Sequence, residues 1–150
     1  MRKFTVTVAL IGLTALGVTA PTAAAQATEN TVAANGCATK TTPRDGKMYA
    51  WDTLDCQGPS MYSATGNSNY WGAADTDKAS SVINRGFLGG LDVVMFFRNT
   101  NQSGPHTCLT PGELYADDLR DNRFTDGSVV TNAISSHKWV TRSACSVFLT

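Results

Sequence analysis

The chain has 150 residues with 12 basic and 12 acidic side chains, so its formal net charge is zero. This balance, without a basic patch or an acidic run, excludes a nucleic-acid-binding surface and a charged disordered tail. The length suits one domain with a modest core, and the many Thr, Ser, Asn, Asp and Gly residues favour an all-β fold rich in turns.

The first 27 residues have the layout of a secretory signal peptide. Arg2 and Lys3 precede the apolar run VTVALIGLTALGVTA, and small residues follow it. The A-x-A site before Thr28 predicts cleavage after Ala27, with cleavage after Ala25 as the alternative. The run is short for a membrane span, and no other segment comes close. We therefore expect a secreted, extracellular chain with no membrane association after cleavage.

The remaining chain divides into a lead and a repeated unit. Residues 28–46 form a loose N-terminal lead, and residues 47–150 form the domain. Within the domain we predict a first motif over about 47–90, a second over about 91–142 and a closing strand over 143–150. The segment LYADDLRD (114–121) is compatible with a helical turn inside a long loop.

Two strands and two glycine turns open the two motifs. KMYAWDTL (47–54) and LDVVMFFR (91–98) are rich in aromatic and branched residues and are bounded by turn formers. Gly58 follows Trp51 by seven residues and Gly104 follows Phe97 by seven, and a proline follows each glycine. We expect each glycine to supply a positive φ in a folded-over hairpin.

Two Ser-Ser pairs, Ser80-Ser81 and Ser135-Ser136, begin apolar–polar alternations typical of half-buried strands. The offset between motifs grows from 46 residues at the glycines to 55 at these pairs, so the second motif carries nine extra residues. One such unit cannot cover its own apolar face. Two units packed face to face can, which predicts an all-β sandwich.

The spacing of aromatic, glycine and serine resembles the βγ-crystallin Greek-key motif. The sequence differs from that motif at Cys56 and Gln102, where the superfamily usually has a second aromatic residue two positions before the glycine. DKASSVINR, CLTPG, the export signal and two cysteine pairs resemble peptidase inhibitor family 36, small secreted actinobacterial proteins typified by a metalloproteinase inhibitor. The resemblance implies a βγ-crystallin-like sandwich of two Greek-key motifs. It also implies an inhibitor that binds an extracellular (metallo)peptidase without turnover.

The same resemblance implies a calcium motif in each half. It assigns Asp77 and Ser80 to one site, and Asn132 and Ser135 to another, whose motif has no formal negative charge. Carboxylate, amide and hydroxyl oxygens suit a hard cation. The alternative is that the serine only locks the preceding hairpin by hydrogen bonding to turn backbone. No cofactor is required for inhibition; a calcium-binding module with a structural or cell-surface role is the alternative function.

All four cysteines lie in the exported part, and an even number there indicates two disulfides. No pair has the close spacing of a zinc site. Of the three connectivities, we predict Cys37–Cys56 and Cys108–Cys145, one in each half.

The inhibitory loop stays unassigned, because no counterpart to the family's reactive bond is evident. The candidates are the turn Cys56-Gln57-Gly58-Pro59 and the segment LTPGELYADDLRDN (109–122), each beside a cysteine. A rigid loop held near a disulfide binds with little loss of entropy. The expected partner is an extracellular peptidase, and a monomer is the default for a domain of this size.

An enzyme is not expected. The two histidines, His106 and His137, are predicted at surface positions, and neither H-E-x-x-H nor G-x-S-x-G occurs. Tyr70-Trp71 lies in a loop rich in Gly, Asn and Ser and has two interpretations. It contacts a sugar or partner, or it packs beneath the hairpin.

Overall fold

The computed structural model of the protein describes residues 36–150. The predicted signal peptide and residues 28–35 of the predicted lead lie outside the described residues. The described part is built from short strands and a few 3-10 turns. The strands are β1 (Lys47–Trp51), β2 (Tyr62–Ala64), β3 (Ser81–Arg85), β4 (Val93–Asn99), β5 (Ser103–Leu109), β6 (Tyr115–Ala116) and β7 (Ser136–Val140); the 3-10 turns are Ala38–Lys40, Leu54–Cys56 and Arg142–Ala144.

The strands form two antiparallel sheets, and in each sheet a strand of one motif pairs with a segment of the other motif. One sheet has the order β2-β1-β3-β6 and the other has the order β5-β4-β7. β6 belongs to the second motif but pairs with β3 of the first, through Val82 and Ala116. Reciprocally, Ser68 of the first motif bridges to His137 of β7. Val82 and His137 are separated by 55 residues, which is the offset between the two Ser-Ser pairs. They therefore occupy equivalent positions in β3 and β7, and the two pairings between motifs are equivalent. The predicted all-β fold of two Greek-key motifs is confirmed.

The main core lies between the two sheets because alternate residues of each strand point inward. Met48 and Ala50 of β1, together with Val94 and Phe96 of β4, are fully buried in one apolar cluster. Leu109 joins them from β5. Strand alternation therefore places these side chains between the two sheets.

Two smaller apolar clusters cover the outer faces of the sheets, and a disulfide belongs to each. Trp51 and Ile83 pack with Cys37 and Cys56 in the first of them. On the other sheet, Val93, Met95, Phe97 and Val140 pack with Cys108, and Cys145 and Phe148 lie against that cluster. The predicted disulfides Cys37–Cys56 and Cys108–Cys145 are both formed. Each staples a terminal segment over an apolar face that solvent would otherwise reach.

Two local predictions differ from the structure. The predicted closing strand over 143–150 is a 3-10 turn at Arg142–Ala144 followed by a single parallel bridge between Phe148 and Cys108. The disulfide to Cys145 fixes this segment, and only residues 147 and 149 exchange backbone hydrogen bonds with Cys108. The sequence of 114–121 is compatible with a helical turn, but no such turn forms, because Tyr115–Ala116 forms β6 there.

Candidate functional site

The second serine of each Ser-Ser pair locks the folded hairpin of its own motif. Ser81 Oγ donates to the carbonyl of Thr53 over 2.7 Å and accepts the backbone N–H of Cys56 over 3.0 Å. This hydroxyl is fully buried. A buried hydroxyl with both partners satisfied holds the turn at the end of β1 in one conformation.

Ser136 makes the same two bonds in the second motif. Its Oγ donates to the carbonyl of Asn99 and accepts the backbone N–H of Gln102 over 3.1 Å. Gly58 and Gly104 have φ values of 71° and 78°, as predicted for the folded hairpins. The lock therefore lies one residue beyond the serines assigned to calcium. Ser81 lies opposite Trp51 and Ser136 lies opposite Phe97. Strand alternation thus directs the second serine of each pair to the outer face of its sheet, over which the hairpin folds.

A small polar cleft brings together residues of both motifs that were predicted as calcium ligands. Ser135 Oγ lies 2.9 Å from Asp77 Oδ1 and 2.7 Å from the carbonyl oxygen of Arg98. Asp77, Arg98 and Asn132 are among the residues that line this cleft of about 220 Å³. The carboxylate of Asp77 and the amide of Asn132 belong to the lining, and the Ser135 hydroxyl lies beside them. Such oxygens suit a hard cation, but they supply a single negative charge.

The pairing of these residues differs from the predicted one. Asp77 accepts from Ser135 of the other motif and not from Ser80 of its own. Neither serine is among the residues that line the cleft. The cause is backbone pairing between the two loops: the N–H of Asp77 donates to Ile134, and that of Asn132 donates to Ala79. Asp77 and Asn132 both have left-handed φ values, 57° and 53°. Across residues 36–150, no group of three or more His, Cys, Asp or Glu side chains could hold a metal ion.

The turn at Cys56, one candidate inhibitory loop, is held tightly and exposes polar residues. Lys40 Nζ donates to the carbonyls of Cys56 and Gly58. Asp55 Oδ1 accepts the backbone N–H of Gly36 over 2.7 Å, and this bond lowers the pKa of the Asp55 carboxyl. Gln57 is exposed at the tip. The turn is therefore rigid, as an inhibitory loop requires. Its large apolar side chain, Leu54, is exposed only to 36%.

The other candidate, residues 109–122, does not protrude. Leu109, Ala116, Leu119 and Asn122 within it are buried. The backbone N–H of Leu119 donates to Ser80, which ties this segment to the first motif. Much of the segment is therefore used to build β6 and to fill the core, which leaves little of it to insert into a peptidase.

His137 is buried, contrary to the predicted surface position. It accepts the indole N–H of Trp71 at Nδ1 over 2.8 Å, and Nε2 lies 2.9 Å from the carbonyl of Gly66. Burial lowers the pKa of His137 to about 4, and the Gly66 carbonyl opposes that shift only in part. Because both ring nitrogens are engaged, His137 is a structural residue and not an available base. His106 is partly exposed and lies beside the ring of Phe97.

In the aromatic pair Tyr70-Trp71, one side chain is exposed and the other is buried. Trp71 is buried and stacks on Tyr62 with 4.6 Å between ring centroids. Tyr70 is half exposed. Packing beneath the hairpin, one of the two interpretations of this pair, therefore describes Trp71.

An exposed apolar loop between the two motifs was not recognised from the sequence. It runs over residues 86–92 and carries Phe87, Leu88 and Leu91 at 66%, 68% and 61% exposure. The available signal was the segment GFLGGL, in which Phe87 and Leu88 stand between glycines. Leu91 was predicted in the strand that follows, but β4 begins at Val93.

No helix among the described residues is long and apolar enough to cross a membrane. The described residues define the class of protein: a disulfide-stapled, antiparallel β-sandwich of two interlocked Greek-key motifs, each with a serine-locked hairpin. Comparison of the sequence with family models finds one match, which agrees with the predicted family: residues 38–109 match the model of peptidase inhibitor family I36. The matched segment runs from the first 3-10 turn to the end of β5.

Similar solved structures are βγ-crystallins. One from an archaeon is 21% identical, with a TM-score of 0.46, over 63% of this chain and 96% of that chain. A structure concerned with the evolution of the eye lens βγ-crystallin domain fold is 23% identical, with a TM-score of 0.49, over 67% of this chain and 90% of that chain. A βγ-crystallin from Ciona intestinalis is 20% identical, with a TM-score of 0.46, over 63% and 99%. No curated protein matches the chain in sequence.

Proposed function

We propose that the protein is a secreted inhibitor that binds an extracellular metallopeptidase and blocks it without turnover of its own. The observation that carries the proposal is the match of residues 38–109 to peptidase inhibitor family I36. That segment contains β1 to β5 and every loop between them. It therefore includes the Cys56 turn and the exposed loop 86–92.

The stapled framework supports inhibition by binding. Each disulfide ties a terminal segment to a sheet, and the buried hydroxyls of Ser81 and Ser136 fix both hairpins. Loops that leave such a framework lose little conformational freedom when a partner binds them. A pre-ordered surface of this kind favours tight association with an enzyme.

Binding without catalysis agrees with the state of the histidines. His137 has both ring nitrogens engaged inside the core, and His106 is the other histidine of the chain. We propose export because two disulfides form and persist in an oxidising compartment. A monomer is proposed for the free inhibitor.

The test is an inhibition assay with the secreted chain purified from culture medium. A thermolysin-type zinc peptidase is the target, and a subtilisin-type serine peptidase is the comparator. We expect loss of zinc peptidase activity at sub-micromolar inhibitor, and mass spectrometry should recover the inhibitor uncleaved. An absence of inhibition at micromolar protein across several metallopeptidases would contradict the proposal.

A second candidate function, calcium binding, is favoured by the cleft between Asp77 and Ser135. Its oxygen donors suit a hard cation, and one carboxylate predicts weak affinity. Thermal unfolding with and without millimolar calcium tests it. Calcium should raise the Tm of the unmodified chain, and Asp77→Asn should remove the increase, whereas the exposed control Asp121→Asn should retain it. An unchanged Tm at millimolar calcium would end the metal hypothesis.

A further inference from the structure

The loop between the two motifs concentrates large apolar side chains at the surface. Phe87, Leu88 and Leu91 have the three highest exposures among the large apolar residues of the described part. They fall within five consecutive positions. Single exposed apolar residues are ordinary, but a contiguous group marks a contact surface.

The base of the loop is held by hydrogen bonds that involve a buried amide. Asn84 is fully buried; its Nδ2 donates to the carbonyl of Asp92 over 2.8 Å, and its Oδ1 accepts the N–H of Gly86 over 2.9 Å. Arg44 donates to the carbonyl of Gly86 from the lead segment over 2.8 Å. The N–H of Gly89 donates to the Asp92 carboxylate over 3.0 Å. The loop is therefore ordered before it meets a partner.

Two glycines fix the aromatic rings beside the loop. A Cβ added at Gly46 would lie 2.7 Å from the Phe87 ring, and one added at Gly86 would lie 2.5 Å from the Trp139 ring. Each ring thus packs directly on a backbone that has no side chain. Between them opens a cleft of about 520 Å³, to which Leu88 and Leu91 also contribute.

The cleft beside the loop presents an uncharged surface, and the charged residue of the loop, Asp92, accepts the N–H of Gly89 at its carboxylate. None of the residues that line the cleft carries a charge. The nearby charges are paired or engaged at the base: Arg85 Nη2 lies 2.9 Å from Asp45 Oδ2, and Arg44 donates to the carbonyls of Gly86 and Pro111. A complementary partner surface is therefore apolar and uncharged. Side-chain pockets of a peptidase that selects large apolar residues have this chemistry.

We propose that loop 86–92 is the peptidase-contacting and specificity-determining loop, with Phe87 and Leu88 entering apolar side-chain pockets of the enzyme's substrate cleft. This inference rests on the proposed function. It places the contact away from the Cys56 turn. β1 pairs antiparallel with β3, from Lys47 opposite Arg85 to Trp51 opposite Ser81. The loop and the turn therefore leave opposite ends of this strand pair, about 13 Å apart at 3.3 Å per residue.

Inhibition constants of the secreted chain and four variants test the proposal against a zinc peptidase that cleaves beside large apolar residues. Phe87→Ser and Leu88→Asp alter the loop, Gln57→Ala alters the Cys56 turn, and Val129→Ser changes an exposed apolar residue elsewhere. We expect each loop variant to weaken inhibition at least about tenfold, as truncation of a buried anchor does. The other two variants should stay within about twofold of the unmodified chain. An unchanged Tm shows that each variant is folded.

Four other outcomes overturn the inference. If both loop variants inhibit as strongly as the unmodified chain, the assigned contact is refuted, whereas the proposed function still holds. Loss of inhibition only in Gln57→Ala moves the contact to the Cys56 turn. Self-association that Leu88→Asp abolishes, with inhibition intact, makes the loop a contact between copies of this chain. An unmodified chain that inhibits no peptidase removes the proposed function and this inference together.

Discussion

Acidification should destabilise the protein through His137 well before its carboxylates are protonated. The imidazole is fully buried and neutral, with Nδ1 accepting from Trp71 and Nε2 directed at the carbonyl of Gly66. A proton on Nδ1 would oppose the indole N–H and remove that hydrogen bond. The folded chain therefore resists protonation that the unfolded chain accepts.

The magnitude follows from the two pKa values. The pKa of His137 is about 4 when the chain is folded, against the ordinary histidine value of 6.5 that applies to the unfolded chain. Because the folded pKa is depressed, the unfolded state binds more protons below pH 6.5, and stability falls as the pH drops from about 6.5 to 4. At about 1.4 kcal/mol per pH unit, the full loss is about 3 kcal/mol, of which about 2 kcal/mol is reached by pH 5.

Urea unfolding monitored by tryptophan fluorescence at several pH values between 7.5 and 4.5 measures this loss. His137→Leu should be less stable at pH 7.5, because it leaves the Trp71 indole N–H and the Gly66 carbonyl unpaired. Its stability should then change little down to pH 5. The control variant His106→Asn should keep the pH dependence of the unmodified chain.

Two results would refute this reasoning. The first is a free energy of unfolding that stays constant from pH 7 to pH 5 in the unmodified chain. The second is an equal pH dependence in His137→Leu, which would assign the titration to other groups.

Three further predictions concern the framework. Replacing Cys108 and Cys145 by serine removes a crosslink with a sequence separation of 37. Urea denaturation should show a free energy of unfolding lower by about 4 kcal/mol. An unchanged free energy of unfolding would contradict the role of this disulfide in holding the C-terminal segment. Ser81→Ala should cost about 1–3 kcal/mol because two buried backbone groups lose their partner, while the exposed control Ser63→Ala should change little. Gly86→Ala should displace the Trp139 ring and cost about 1–3 kcal/mol; an unaltered Tm and emission spectrum would argue against the close packing.

The repeat made the architecture predictable from local signals. The glycines and the Ser-Ser pairs mark the same structural positions in both motifs. Gly58 and Gly104 adopt the expected positive φ, and the serine pairs lead into β3 and β7. The disulfide pairing also followed the division into two halves. Each of these features depends on residues within one half of the chain.

The features that were missed depend on contacts between motifs. Asp77 meets Ser135 because the two loops pair across the interface, a contact 58 residues apart that no single motif specifies. His137 alternates with Ser136 along β7, yet both are buried. The first motif covers His137 through Ser68 and Trp71, and the hairpin of the second motif covers Ser136. Strand alternation indicates two faces, but it does not indicate which of them a distant segment covers.

The proposed inhibitory role can be tested most directly by titrating a zinc peptidase with the purified chain at enzyme concentrations far above the inhibition constant. We predict that residual activity falls linearly and reaches zero at one inhibitor per enzyme, with the 36–150 sandwich recovered uncleaved from the complex. Activity that persists at a several-fold excess of the chain, or progressive digestion of the chain as a substrate, would contradict an inhibitor that acts by binding.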